Sequence, residues 1–192
     1  WARAVKARRA KNSLLRPLPV LWLFTDAVRL PDPTTAVARL PRGLCGVVLR
    51  HDGAAERAAL GWRLARLCRA RRNVLVVAGD WRLAAALGAG VHLRGGRPMR
   101  AKMLRHRICT SSAHRWTELV AARRARATLV FLSPAFATAS HPAAAPLGPL
   151  RWAALARRAG VAVAALGGVG GGTVGRLGRR ACAGAGAIGA LA

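Results

Sequence analysis

Short apolar runs alternate with longer amphipathic segments along nearly the whole chain. The runs are LWLFTD (21–26), CGVVLR (45–50), NVLVVAGD (73–80), GVHL (90–93), ICTSS (108–112), TLVFLS (128–133), VAVAAL (161–166) and AGAIGA (185–190). Most are continuous stretches rich in Val, Ile, Leu and Ala, which is what a strand buried on both faces requires. Between them the spacing predicts helices over 54–72, 80–89, 99–105, 114–125, 148–160 and 173–181. In the longest, Ala59, Leu60, Leu64 and Leu67 fall on one side while Arg63, Arg66 and Arg69 fall elsewhere, the pattern of a helix with one face on a core and the other in water. Helix arginines are accordingly read as solvated faces. Strands buried on both faces and alternating with helices imply a parallel sheet. Eight strand candidates favour an α/β architecture in which that sheet closes, a TIM-type (β/α)8 barrel, over an open doubly wound sheet.

The chain has 192 residues, enough for one domain, and is shorter than the roughly 250 typical of such barrels. A single barrel domain over 1–192 is expected, with 1–19 a basic and helical N-terminal segment. The sequence stops directly after the eighth run, so the barrel is expected to lack its closing helix. Its first residue is Trp1, and the natural N-terminus is expected upstream. WARAVKARRAKNSLLR has no apolar core of the signal-peptide kind. No run approaches the roughly 18 residues of a membrane span, and a hydrophobic content of 53% argues against disorder. A soluble, cytoplasmic protein is expected.

Charge first suggests a nucleic-acid partner, because 33 Lys and Arg against 6 acids give a net +27. The distribution argues otherwise. Lysine occurs only at Lys6, Lys11 and Lys102, and the arginines are spread over every helical segment rather than gathered in a stripe. No helix-turn-helix, zinc-finger or RNA-binding-strand signature accompanies them, and Tyr is absent. Nonspecific attraction to polyanions at low salt is expected, and no specific nucleic-acid site. Cys45, Cys68, Cys109 and Cys182 lie far apart without a CxxC, so they read as buried free thiols rather than a zinc site or disulfide framework.

In a barrel of this kind the reactive groups sit at the C-terminal ends of the strands. The runs end in Thr25-Asp26, Arg50-His51-Asp52, Gly79-Asp80, His92 with Arg94, Ser112-Ala113-His114, the loop SPAFATASHP (133–142), and Gly167-Gly168. Asp26, Asp52 and Asp80 are three of only six acids. Asp80 is equally placed to cap the helix that follows it, and His92, between Val91 and Leu93, reads as an interior core histidine before a catalytic one. GGVGGG (167–172) lies where barrels of this class hold phosphate. Its glycines admit close backbone approach, with a helix expected to start near Thr173.

Taken in order, LWLFTD, CGVVLRHD, LVVAGDWRLAAALGAGVHL, TSSAH, FLSPAFATASH, PLGPL and ALGGV resemble the thiamine phosphate synthase family, which includes the related thiazole tautomerases. The resemblance spans 20–192. It implies a transferase of thiamine biosynthesis that joins hydroxymethylpyrimidine pyrophosphate to thiazole phosphate, with Mg2+ as cofactor and small phosphorylated molecules as partners. By position it implies that Arg50, Ser112, His114 and His141 are catalytic, that Thr138, Ser140, Gly167 and Gly168 hold phosphate, and that Asp80 is a metal ligand. Departures from the family pattern are Val48 and Asp52 in place of Gln and Lys around Arg50, and Gly79 in place of Asn. Arg97 replaces the second metal aspartate, and His141 stands where the family has Lys. Two alternatives stay open: a tautomerase-like enzyme in which His114 moves protons without a metal, and a barrel that binds a phosphorylated ligand without catalysis.

Overall fold

The apolar runs do become strands, most of them one to three residues shorter than the run itself. The computed structural model describes residues 3–4, 18–96, 108–138 and 144–191. Within it β1 (Leu21–Phe24), β2 (Cys45–Leu49), β3 (Val74–Ala78), β4 (Gly90–Leu93), β5 (Cys109–Ala113), β6 (Leu129–Leu132), β7 (Val163–Ala165) and β8 (Gly184–Ala187) pair in sequence order, all parallel. β8 pairs back onto β1, which closes the barrel. The helices are α1 (Thr34–Arg39), α2 (Arg57–Ala70), α3 (Trp81–Ala86), α4 (Trp116–Arg124), α5 (Gly148–Arg158) and α6 (Gly171–Val174), and a 3-10 turn, Gly189–Leu191, follows β8. The expected (β/α)8 barrel is the observed fold.

Three elements differ from expectation. α1 has no counterpart in the hydrophobic pattern, because TTAVAR is short and follows two prolines; Asp32 Oδ1 accepts hydrogen bonds from the Thr34 backbone (3.0 Å) and hydroxyl (2.7 Å) and sets its entry. α6 covers Gly171–Val174 rather than 173–181, since a segment this rich in glycine has little helix propensity. β8 begins at Gly184 rather than Ala185 and ends at Ala187. The helix expected over 99–105 and most of the N-terminal segment lie outside the described residues.

Side-chain alternation divides the core in two. Trp22, Phe24, Val48, Val76, Ala78, Leu129, Phe131 and Ala164 form one cluster. Trp22 and Phe24 on β1 meet Phe131 on β6 edge to face at 5.4 and 4.8 Å between centroids. β1 and β6 are not neighbours, so these contacts cross the barrel interior. Residues of opposite parity, such as Leu23, Val47, Leu49, Val77, Val91 and Leu132, face outward into a larger cluster with Leu60, Leu64, Leu119 and Trp152 of the helices. Gly46 is required by this packing: a Cβ there would lie 2.3 Å from the Trp22 ring.

The inward parity carries past the strand ends. Arg50 follows Val48, Asp80 follows Ala78, Arg94 follows His92, Ser112 and His114 follow Thr110, and Ser133 follows Phe131. The same period of two that fills the barrel with apolar side chains therefore delivers polar ones to its C-terminal mouth.

Candidate functional site

The mouth is an open pocket of about 1370 Å³ whose lining includes Arg50, Asp52, Arg94, Ser112, His114 and Ser133, with Thr138, Gly167 and Gly168 among the remainder. Arg50, Ser112, His114, Thr138, Gly167 and Gly168, all expected from sequence, thus face one space. Ser140 and His141 lie outside the described residues, as does Arg97. Asp80 is not part of the pocket lining.

Its floor is His92, buried, with Nδ1 2.9 Å from the Thr110 hydroxyl and its ring against Phe24. Burial lowers the imidazole pKa to about 3, and the charges of Arg50 and Arg94 push the same way. His92 is therefore a neutral interior residue. The interior reading of its sequence context holds.

On the β1–β2 side, Asp26 Oδ1 accepts hydrogen bonds from the backbone of Arg29 (3.0 Å) and Val28 (3.1 Å), and Asp26 lies 3.7 Å from Arg50. The Arg29 bond is the main reason its carboxyl sits below the usual value; partial burial opposes this, and the Val28 bond and the Arg50 charge assist. Arg50 is fixed through its backbone N–H, which donates to Thr25 Oγ1 at 3.0 Å. His51 is buried between Thr25 Oγ1 and the Pro31 carbonyl at 2.9 and 3.0 Å. It ties the β1 loop to the end of β2 and leaves the pocket to its neighbours.

Asp80 caps α3. Its Oδ1 accepts from Leu83 N at 3.0 Å, and its backbone is extended as an N-cap requires. The other oxygen lies 3.8 Å from Arg57 Nη1. Arg57 also donates from Nη2 to the Ala78 carbonyl at 2.6 Å and stands 3.4 Å from Asp52. Asp52 in turn bonds Arg94, whose side chain passes over Gly79. Asp80, Arg57, Asp52 and Arg94 thus form one chain of alternating charge along the β2–β4 rim. Reading helix arginines as solvated faces fails at Arg57, whose side chain is only 16% exposed. It is the first residue of α2, where a long side chain reaches back over the strand ends. Periodicity alone gives no sign of that.

Protein-bound Mg2+ takes near-octahedral oxygen ligands at short range. Among the described residues no group of three His, Cys, Asp or Glu is arranged to hold a metal ion. Asp80 commits one oxygen to the α3 cap and turns the other toward a guanidinium. At an effective dielectric near 20, two unit charges 4 Å apart interact by about 4 kcal/mol, and a divalent ion beside Arg57 would meet roughly twice that in repulsion. The donor set around Asp80 does not fit a hard divalent cation.

Across the mouth, Ser112 Oγ accepts from Gly95 N at 3.2 Å and Ser111 Oγ from Gly96 N at 3.1 Å, which pins the loop after β4 onto β5. His114 N donates to Glu118 of α4 at 2.7 Å, while His114 Nδ1 lies 3.2 Å from both the Ser133 carbonyl and its hydroxyl. A carbonyl only accepts, so that contact is a hydrogen bond when Nδ1 carries a proton, whereas the hydroxyl can also donate to a bare Nδ1; Ser133 holds the ring in either tautomer. Gly167 and Gly168 take positive φ of 84° and 63° and lie directly against the loop after β6. Phe136 N donates to the Gly167 carbonyl at 3.0 Å, and Thr173 Oγ1 to the Gly168 carbonyl at 2.9 Å. With α6 only a single turn, the expected helix-dipole contribution is small, and backbone close approach is what this loop supplies.

Comparison with known proteins agrees with the order of these elements. The Thiamine monophosphate synthase family model matches residues 25–191. The chain superposes on a thiamine phosphate pyrophosphorylase from Pyrococcus furiosus with a TM-score of 0.72 at 19% identity, covering 92% of this chain and 88% of that one. A thiamine phosphate pyrophosphorylase from Bacteroides thetaiotaomicron gives 0.53 at 18% identity, with 90% and 83% covered. An HpcH/HpaI aldolase from Desulfitobacterium hafniense gives 0.57 at 14%, with 92% and 88% covered, so at these identities the structural likeness speaks for the fold alone. No curated protein matches the sequence. The family match runs through the pocket-forming strand ends from Thr25 onward, and by it the chain belongs to the thiamine monophosphate synthase family.

Proposed function

We propose that this chain is a transferase of thiamine biosynthesis that joins hydroxymethylpyrimidine pyrophosphate to thiazole phosphate, releasing pyrophosphate and thiamine phosphate. The observation that carries this reading is a pocket with two poles suited to anions. Arg50 and Arg94 stand at the ends of β2 and β4, while Thr138, Gly167 and Gly168 line the loops after β6 and β7. The pyrophosphate end of one substrate fits the guanidinium pole, and the phosphate of the other fits the glycine-lined pole, with Ser140 and His141 assigned to that loop by sequence. As the bond to pyrophosphate breaks, the leaving oxygens gain negative charge, and guanidiniums already in place stabilise that charge without reorganising. Ser112 stands between the poles as a hydroxyl partner.

A coupled assay with both substrates, following thiamine phosphate, tests the proposal. Product from the wild-type chain is expected, with kcat/KM reduced about a hundredfold in Arg50→Ala, the usual cost of one charge-stabilising donor. No product, while thiazole phosphate still binds, would overturn it.

A second reading rests on His114. Ser133 engages its Nδ1 at 3.2 Å through both carbonyl and hydroxyl, which fixes the ring at the pocket wall, and a neutral ring donating from Nδ1 to that carbonyl offers Nε2 as a proton acceptor. In that case a carboxylated thiazole phosphate would be isomerised, and His114→Gln would abolish this reaction. The product separates the two readings. Binding of thiazole phosphate with neither product would leave a non-catalytic barrel.

A further inference from the structure

Asp52 and Asp80 stand on either side of one guanidinium, that of Arg57, which is held by a 2.6 Å hydrogen bond to the Ala78 carbonyl at the end of β3. The group is mostly buried, and its Nε has no hydrogen-bond partner among the described residues. A loosely draped surface arginine would keep that nitrogen in water, so Arg57 is held here at some cost in hydration. Guanidinium does not lose its proton in proteins, so the positive charge between the two carboxylates is permanent. Arg94 supplies a second cation on Asp52. Two carboxylates are thereby matched by two guanidiniums, and no net negative field remains at this rim to draw a metal ion.

We propose that Arg57 is a resident cation that closes the Asp52–Asp80 pair to divalent metal, so that this mouth binds its oxyanion ligand without a bridging metal ion. The oxyanion belongs to the pyrophosphate or phosphate class, and its identity rests on the function proposed above. The exclusion of metal rests only on Arg57 and the two aspartates. Arg57 is a positioning residue under this proposal, since its contacts are to Asp52, Asp80 and the Ala78 carbonyl rather than to the ligand.

Titration of the intact chain with Mn2+, followed by electron paramagnetic resonance of the free ion, tests this without any substrate. The wild-type chain is expected to show no stoichiometric site at millimolar Mn2+. Arg57→Gln is expected to gain one, with affinity raised about tenfold or more by removal of a charge beside two carboxylates, and Arg57→Gln with Asp80→Asn to lose it again. Arg57→Lys, which keeps the charge and guards against a folding defect in the neutral variant, is expected to behave as wild type. A wild-type Mn2+ site abolished by Asp80→Asn would overturn the proposal. So would Arg57→Gln with a native circular dichroism spectrum and no new site, or a site appearing in Arg57→Lys. The readout is independent of turnover, so its failure and a failure of the synthase reading are separate results.

Discussion

At the floor of the pocket, Thr110 holds Nδ1 of His92 while Phe24 packs edge-on against the ring, and this neutral imidazole links pH to stability. In the unfolded chain His92 takes up a proton near 6.5, and in the folded barrel only near 3. Between those values the unfolded state binds more protons, so stability falls as pH falls. Above 6.5 both states are neutral and His92 contributes no slope. The slope attributable to one such group is about 1.4 kcal/mol per pH unit. Asp26, whose folded value is also depressed, acts in the same direction but lower in pH: its contribution is complete above the unfolded value of 3.8 and is lost only at more acid pH. Urea unfolding from pH 7 to 4 should therefore show declining stability in the wild type, and His92→Asn should flatten that decline. An equally steep acid limb in the variant would remove His92 as its source.

Across the elements, the loop after β7 is a tight glycine turn held against its neighbour without a regular helix behind it. Gly168 has a positive φ of 63°, and a Cβ there would lie 2.2 Å from the Ala137 carbonyl; Gly172, four residues on, has nothing within 4 Å. Gly168→Ala is expected to cost about 1–3 kcal/mol through strain and overpacking and to weaken thiazole phosphate binding at least in proportion. Gly172→Ala, placed within α6 with space around it, should leave the melting temperature level or slightly raised. Equal melting temperatures for the two variants would show that the β6 and β7 loops are not pressed together as described. The strands were legible because burial on both faces leaves an unbroken apolar signature, and the pocket residues were legible because they continue the inward parity of those strands. α1 was not, since six residues entered by a Pro-Asp-Pro bend carry too little periodicity. The role of Arg57 was not, since it depends on where the first turn of α2 meets the ends of β2 and β3, a tertiary relation that helical spacing does not encode.

For the molecule as a whole, the question is what +27 does on a barrel whose candidate site is the mouth. Exposed arginines stand on α2 (Arg63, Arg66, Arg69), on α4 (Arg123, Arg124) and on α5 (Arg151, Arg157, Arg158), so the positive potential surrounds the barrel instead of forming a footprint. Such a surface attracts polyanions by releasing their counterions and reads neither sequence nor groove. Duplex DNA, single-stranded DNA and heparin should all bind at low salt. If about five phosphates are neutralised, the slope of log affinity against log salt on duplex DNA is expected near −4 to −5. All three should weaken together as salt rises, with no sequence favoured. Under the proposed function, pyrophosphate binding at the mouth would involve Arg50 and Arg94 and a small ligand, so its salt dependence should be several-fold shallower, and Arg50→Ala should weaken it about a hundredfold while leaving heparin retention within experimental error. Competitive titrations at low and physiological salt make the comparison directly. One nucleic acid retained tenfold more tightly than composition-matched controls at physiological salt would show that the encircling charge includes a specific site, and the separation between a general basic surface and a selective mouth would then fail.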